Sequence, residues 1–212
     1  MSSSSLTAAL NYSRSESALG LLAPGRLFSW AELQGMARDG VLQRVFGACY
    51  LPAGALVQAE HRAVAMSLHF PPNMVSRLVL GRFSAAWVHG STFMPPRVTA
   101  LIDHRRRAGM LPPFSQLQVH EVRLGRFDVI ERSGVRVTSA LRTAVDLAFQ
   151  GRPSVPGWAD PVEILGQLCE NPELACPASL VRRAIECMGQ VPYKHKALKR
   201  VDSLASGAEH DP

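Results

Sequence analysis

The chain has 212 residues, 47% of them hydrophobic and only 19% charged, with 23 Lys and Arg against 17 Asp and Glu and a net charge of +6. That length suits a small domain joined to a larger one, and the apolar content is that of a packed protein. No apolar run has the length needed to cross a bilayer, so a soluble chain without membrane association is expected.

The opening stretch MSSSSLTAALNYSRSES lacks both the basic region with an apolar core and the small-residue cleavage site of a secretory signal. A cytoplasmic location is therefore expected, with residues 1–17 disordered. Cys49, Cys169, Cys176 and Cys187 form no Cys-x-x-Cys pair, and three of them fall in stretches that read as helical. Reduced thiols are expected, with no metal site and no cofactor. Positive charge is concentrated in the middle: residues 61–150 carry 12 Arg against 5 acids, whereas residues 1–60 carry 4 bases and 4 acids. Clustered arginine suits phosphate contact.

From residue 18 the pattern becomes regular. Ser29 precedes Trp30-Ala31-Glu32, a capping box, and Leu33, Met36 and Ala37 share one helical face before Gly40, which predicts a helix over 29–39. Strand formers from Val41 to Leu51 flank Gly47, and Pro52-Ala53-Gly54 closes them, which predicts a hairpin. A helix followed by a small hairpin is the tail end of a winged helix, placed at 18–56.

A helix from Ala59 to about Ser67 follows, then a break at Pro71-Pro72 and an apolar segment from Met74 to Leu80. Ser84 is read as the cap of a short helix through Ala85, Ala86, Trp87 and Val88 that Gly90 ends. Strands are expected at Val98–Ile102, Leu117–Val122, Phe127–Ile130 and Val135–Val137, mostly compatible with antiparallel pairing, with Arg105-Arg106-Arg107 in a loop. A helix begins near Thr138 or Ser139 and completes an α/β core over 57–150. Gly and Pro in GRPSVPGWAD interrupt the pattern, and three helical stretches near 161–170, 177–189 and 194–204 form a C-terminal helical extension over 151–205, with a loose tail at 206–212. The class is α+β: a small degenerate winged helix, then a larger α/β domain with short strands and a helical C-terminal region.

Several chemistries lack their residues. The chain has no Gly-x-Ser-x-Gly elbow, no His-Glu-x-x-His pair and no phosphate-cradling glycine loop. A restriction-type nuclease centre uses acids to hold a metal ion and a nearby Lys to stabilise charge at the attacked phosphate. The first Lys here is Lys194, and no Lys stands two residues after a carboxylate. His69 and His89 read as isolated, hydrogen-bonded side chains, and Asp103-His104 as a solvated turn. Candidate DNA contacts are Ser29, Trp30, Gln34 and Arg38 on the first helix, Arg44 in the hairpin, and Arg105, Arg106 and Arg107 in the basic loop. Arg142 and Asp146, four apart on one helix, read as a structural clasp.

Three stretches in order, DGVLQRVFGACYLPAG, FSAAWVHG and VRVTSALRTAVDLA, resemble the signature of the AbiEi family in its actinobacterial-style form: the antitoxin and transcriptional regulator half of type IV toxin–antitoxin systems. The resemblance covers about residues 25–150, and the last motif is the most specific. It carries over the wing around Arg44 and Tyr50, the helix Ser84, Ala85, Ala86 and Trp87, and Thr138, Ser139, Arg142, Thr143 and Asp146. It implies a non-enzymatic regulator whose winged helix binds double-stranded operator DNA and represses its own promoter. It also implies a larger domain that opposes a nucleotidyltransferase-like toxin without a stable complex. The alternatives are a degenerate nuclease-related enzyme and a protein-interaction module without DNA binding.

Overall fold

A computed structural model of the protein describes residues 19–25, 27–106, 116–152 and 157–207. The expectations for residues 1–17, for Arg107 and for the tail from 208 onward lie outside the described residues. The class is α+β.

Ser29 caps α1 (Trp30–Arg38) with the full capping box: its hydroxyl accepts from the Glu32 N–H, and the Glu32 carboxylate accepts the Ser29 N–H at 2.7 Å. Glycine at φ +74 follows at Gly40, where an L side chain is disfavoured. The hairpin consists of β1 (Leu42–Phe46) and β2 (Cys49–Pro52), antiparallel with a register shift between Arg44 and Phe46. Val41, read as a strand former, stands outside the strand and exposed. A further bridge pairs Leu22 with Tyr50 through two backbone hydrogen bonds of 2.9 Å, which ties the lead-in chain to the hairpin edge. Leu33, Leu42 and Tyr50 are buried together, so α1 and the hairpin share a small core of their own.

Next come α2 (Ala59–Ser67), β3 (Val79–Leu80), α3 (Arg82–Val88) and β4 (Val98–Asp103), then β5 (Leu117–Val122), β6 (Val129–Arg132), β7 (Val135–Thr138) and α4 (Ala140–Phe149). The five-stranded sheet has the order β5-β4-β3-β7-β6. Its pairing is mixed rather than mostly antiparallel: β3 to β4 and β6 to β7 are antiparallel, β4 to β5 and β3 to β7 parallel. The connection from β4 to β5, which opens with a 3-10 turn at His104–Arg106, is long enough for the crossover a parallel pair requires. The strand expected over Phe127–Ile130 starts two residues later, leaving Phe127 84% exposed in a turn.

Ser84 does not cap α3. Gly81 is the N-cap, and Ser84 lies inside the helix, fully buried, because its hydroxyl accepts the Thr99 N–H of β4 at 2.7 Å. The helix thereby docks on the sheet through a hydrogen bond that the sequence pattern assigned to its end.

The C-terminal region is α5 (Pro161–Glu170), α6 (Ala178–Cys187) and α7 (Lys194–Gly207). Helix α6 is shorter than expected, and α7 continues to Gly207, past the point where a loose tail was placed. Cys176 sits in the connection before α6 rather than in a helix, and all four cysteines are free. Two large cores hold the molecule. One joins the hairpin residues Val45, Phe46 and Leu51 to α2 and to sheet residues such as Leu80, Ala100 and Val137. The other joins Phe83 and Ala86 of α3, one face of α4, and α5 to α7. Among the described residues no helix is long and apolar enough to cross a membrane.

Candidate functional site

The proposed DNA-contact residues of the first unit are brought onto one helix and hairpin. Trp30 is 56% exposed, Ser29, Arg38 and Arg44 are exposed, and Gln34 is half-buried. Among the described residues neither Arg38 nor Arg44 meets an acid, so both guanidinium groups are available. Ser29 already accepts one bond in the capping box, which leaves its hydroxyl hydrogen and one lone pair for another contact. Arg105 and Arg106 stand elsewhere, in the turn at the end of β4, and Arg105 is exposed. The Asp103 carboxylate shapes that turn, accepting the Arg105 and Leu124 N–H groups, and the Arg105 N–H in particular holds Asp103 below the usual carboxylate range.

Most of the residues that carry the resemblance are buried, while Ser139, Arg142 and Asp146 are half-buried. Tyr50 is 2% exposed and sits on Leu33 and Leu42. Trp87 packs 5.7 Å from the Phe46 ring, with the Arg62 guanidinium 5.1 Å over its face. Arg62 also donates to the Trp87 carbonyl at 2.7 Å, locking α2, α3 and the hairpin together. Ala85 and Ala86, with no accessible surface, allow that close packing. The Thr143 hydroxyl donates to the Ser139 carbonyl at 2.9 Å and lies 2.7 Å from the Thr138 hydroxyl. His89 donates from Nε2 to the Thr138 carbonyl at 2.7 Å, and burial lowers its pKa. His89 is therefore the hydrogen-bonded core histidine that its surroundings implied.

Arg142 is the centre of a larger arrangement than a pair. Its Nε donates to Asp146 Oδ1 at 2.9 Å, and its Nη1 donates to Asp128 Oδ2 at 2.7 Å and to the Arg123 carbonyl at 3.1 Å. Asp128 Oδ2 also accepts the Gly125 N–H at 2.7 Å, and the Asp128 carbonyl accepts the Ser139 N–H at 2.8 Å. Arg142 thus holds the 123–128 loop against the start of α4. Burial pushes the Asp146 carboxyl up, and the charge of Arg142 opposes that shift. Asp146 Oδ2 is buried without a hydrogen-bond partner among the described residues.

Arg82 and His120 join the periphery of this cluster. Arg82, at φ +51 at the start of α3, lies 3.0 Å from His120 Nε2. Burial first, and the Arg82 charge second, hold His120 down to about 4, so a neutral imidazole accepts from the guanidinium. Burial lowers Arg82 too, while the charge of Asp146 raises it. Sequence reasoning missed Asp128, Arg82 and His120. Only Asp128 left a trace, the Gly125-x-x-Asp128 spacing that closes the turn before β6.

Beside the cluster lies a cleft of about 790 Å³ between α4, the 123–128 loop and the connection from α6 to α7. Phe127, Leu141, Val145, Phe149, Met188 and Val191 give it apolar walls, and Arg123, Asp128, Ser139, Arg142 and Asp146 form a polar end. Both of its carboxylates already accept from Arg142. Among the described residues no group of three or more His, Cys, Asp or Glu is placed to hold a metal ion. No protein-family model matches the chain, and neither does any curated protein.

Proposed function

We propose that the chain is a DNA-binding transcriptional regulator of the AbiEi antitoxin type, acting without enzymatic chemistry. In this reading it represses its own promoter and opposes a nucleotidyltransferase-like toxin with which it forms no stable complex. The observation that carries the DNA-binding part is the first unit: a capped helix with an exposed Trp30, and on each of its two elements one exposed arginine that meets no acid among the described residues, Arg38 on α1 and Arg44 on β1. Arg44 is placed to meet a phosphate rather than a base edge if α1 enters a groove, because it belongs to the wing beside that helix. Net charge of +6 and a pI near 9.6 favour approach to a polyanion.

The decisive measurement is a gel-shift series with the chain's own upstream DNA and random DNA at several salt concentrations. Selective binding that weakens steeply with salt is expected. Equal affinity for both DNAs sinks the repressor reading, and metal-dependent cleavage of either DNA moves it to an enzyme. Arg44→Ala is expected to weaken binding about evenly across sequences and to flatten the salt slope by about one unit. Unchanged affinity removes the hairpin from the interface. A nucleotidyltransferase-like gene immediately downstream would support the antitoxin part of the reading.

A further inference from the structure

We propose that Gln34 is the residue through which α1 reads a base, its carboxamide recognising adenine in the major groove, and that Gly35 beside it lets the helix backbone come close to the DNA. The inference rests on the DNA-binding reading and adds to it the base and the side chain that selects it. Leu33 is fully buried, and Met36 and Ala37 pack against the same small core, which fixes the inward face of α1. At about 100° per residue the opposite face carries Ala31, Gly35 and Arg38, with Trp30 and Gln34 along one flank. Gly35 weakens the helix for no reason internal to the fold. It lies in the middle of a nine-residue helix without a positive φ, and a Cβ added there would meet nothing within 4 Å. Neither a turn nor packing requires glycine at such a position, where it disfavours the helix relative to Ala. A close approach of another molecule to the helix backbone does require it, and in the DNA-binding reading that molecule is the duplex.

The polar groups of the unit single out Gln34. The Glu32 carboxylate accepts the Ser29 N–H and is held at the end of the helix, and the Ser29 hydroxyl, which accepts in the same box, discriminates poorly between bases. The amide group of Gln43 on β1 donates to the Pro52 and Ala55 carbonyls. Base edges meet the N-terminal part of a recognition helix, whereas Arg38 stands in the last turn of α1 and Arg44 on the wing, so both suit phosphates. Gln34 lies one turn into α1, and its carboxamide makes no hydrogen bond among the described residues. It is half-buried, which lowers the entropy lost when the side chain is ordered at a base. A free carboxamide presents a donor and an acceptor side by side, the complement of adenine N7 and its 6-amino group. Guanine offers two acceptors on that edge, which suit an arginine fork instead.

Selection of bound duplexes from a randomised pool, with the full chain and with its Gln34→Ala variant, tests this. The parent is expected to enrich a motif that contains an adenine. Gln34→Ala should bind that motif about 5- to 150-fold more weakly and accept every base at that one position. Replacing the adenine by 7-deazaadenine removes N7 from the major groove, which should weaken the parent and leave Gln34→Ala unaffected. Gly35→Leu, whose side chain enters open space, should lose affinity for the motif, and both variants should keep the parent's melting temperature. A motif that Gln34→Ala enriches unchanged, parent affinity undiminished by 7-deazaadenine at every adenine of the motif, or full affinity in Gly35→Leu each overturns the proposal and leaves the DNA-binding reading standing. Absence of any enriched motif with the parent overturns both.

Discussion

At the residue scale, Arg142 shows how an ion pair read from spacing becomes a hub in three dimensions. The i and i+4 relation to Asp146 was legible because helix geometry alone imposes it. The contact with Asp128 was not, because it depends on how the 123–128 loop folds back, and no periodicity encodes that. Both Arg142 and Asp146 are mostly buried, with side chains 18% and 17% exposed. Replacing Arg142 by Ala leaves Asp146 without its cation and releases the loop, at an expected cost of about 3 kcal/mol. Chemical denaturation of Arg142→Ala checks this, and a stability within about 0.5 kcal/mol of the parent would show that the cluster is not a structural clasp. Arg142→Lys should recover little, since one ammonium cannot reproduce the planar fork that serves Asp146, Asp128 and a carbonyl together.

Elements were most legible where their ends carry side-chain chemistry. The Ser29 box, Pro161 in the first turn of α5 and glycine after α1 gave boundaries within a residue or two, because those residues satisfy or release terminal backbone groups. Ser84 misled for the same reason: a hydroxyl that suits a helix end also suits a bond to a neighbouring strand, and only the packing of α3 on β4 decides between them. The sense of the strands was hidden because β3 is two residues long and pairs with partners distant in sequence. The turn from β3 into α3 is a tight joint. A Cβ added at Gly81 would lie 2.5 Å from Leu101 Cγ and 2.7 Å from Cδ1, inside a core with no accessible surface at Leu101. The backbone there is extended, so the effect of Gly81→Ala is steric. A loss of about 2 kcal/mol is expected in thermal or urea unfolding. A neutral result would mean that Leu101 can withdraw without disturbing β4.

For the whole molecule, α4 is the shared member. Its polar edge carries Arg142 and Asp146, and its apolar face enters the core built with α3, α5, α6 and α7. Periodicity made that apolar face visible, but nothing in the sequence of residues 151–207 marked them as one wall of the cleft. Three histidines set the acid response of the assembled protein. Burial depresses His69, His89 and His120 below the ordinary 6.5, and His120 reaches about 4. The unfolded chain therefore takes up protons that the folded chain refuses, so stability is fullest above pH 6.5 and declines as pH falls toward 4. The buried Asp146 acts in the opposite sense: burial pushes its carboxyl up, so above the ordinary carboxylate range the folded state retains a proton that the unfolded state has lost. Urea midpoints measured from pH 8 to pH 4.5 should fall below about pH 6.5, and less so in His120→Gln. A midpoint constant across that range would show that the buried imidazoles are not held neutral.

The partners of Arg142 also have a meaning for chain entropy. Arg123, Asp128 and Asp146 all lie within 19 residues of it, whereas the pairing of Leu80 with Val137 joins positions 57 apart. The threefold difference in loop length corresponds to about 1 kcal/mol less closure entropy for the hub. The charged cluster is thus the cheaper knot to tie, and the 123–146 segment can bring its arginine and both acids together before the central sheet pairing encloses them.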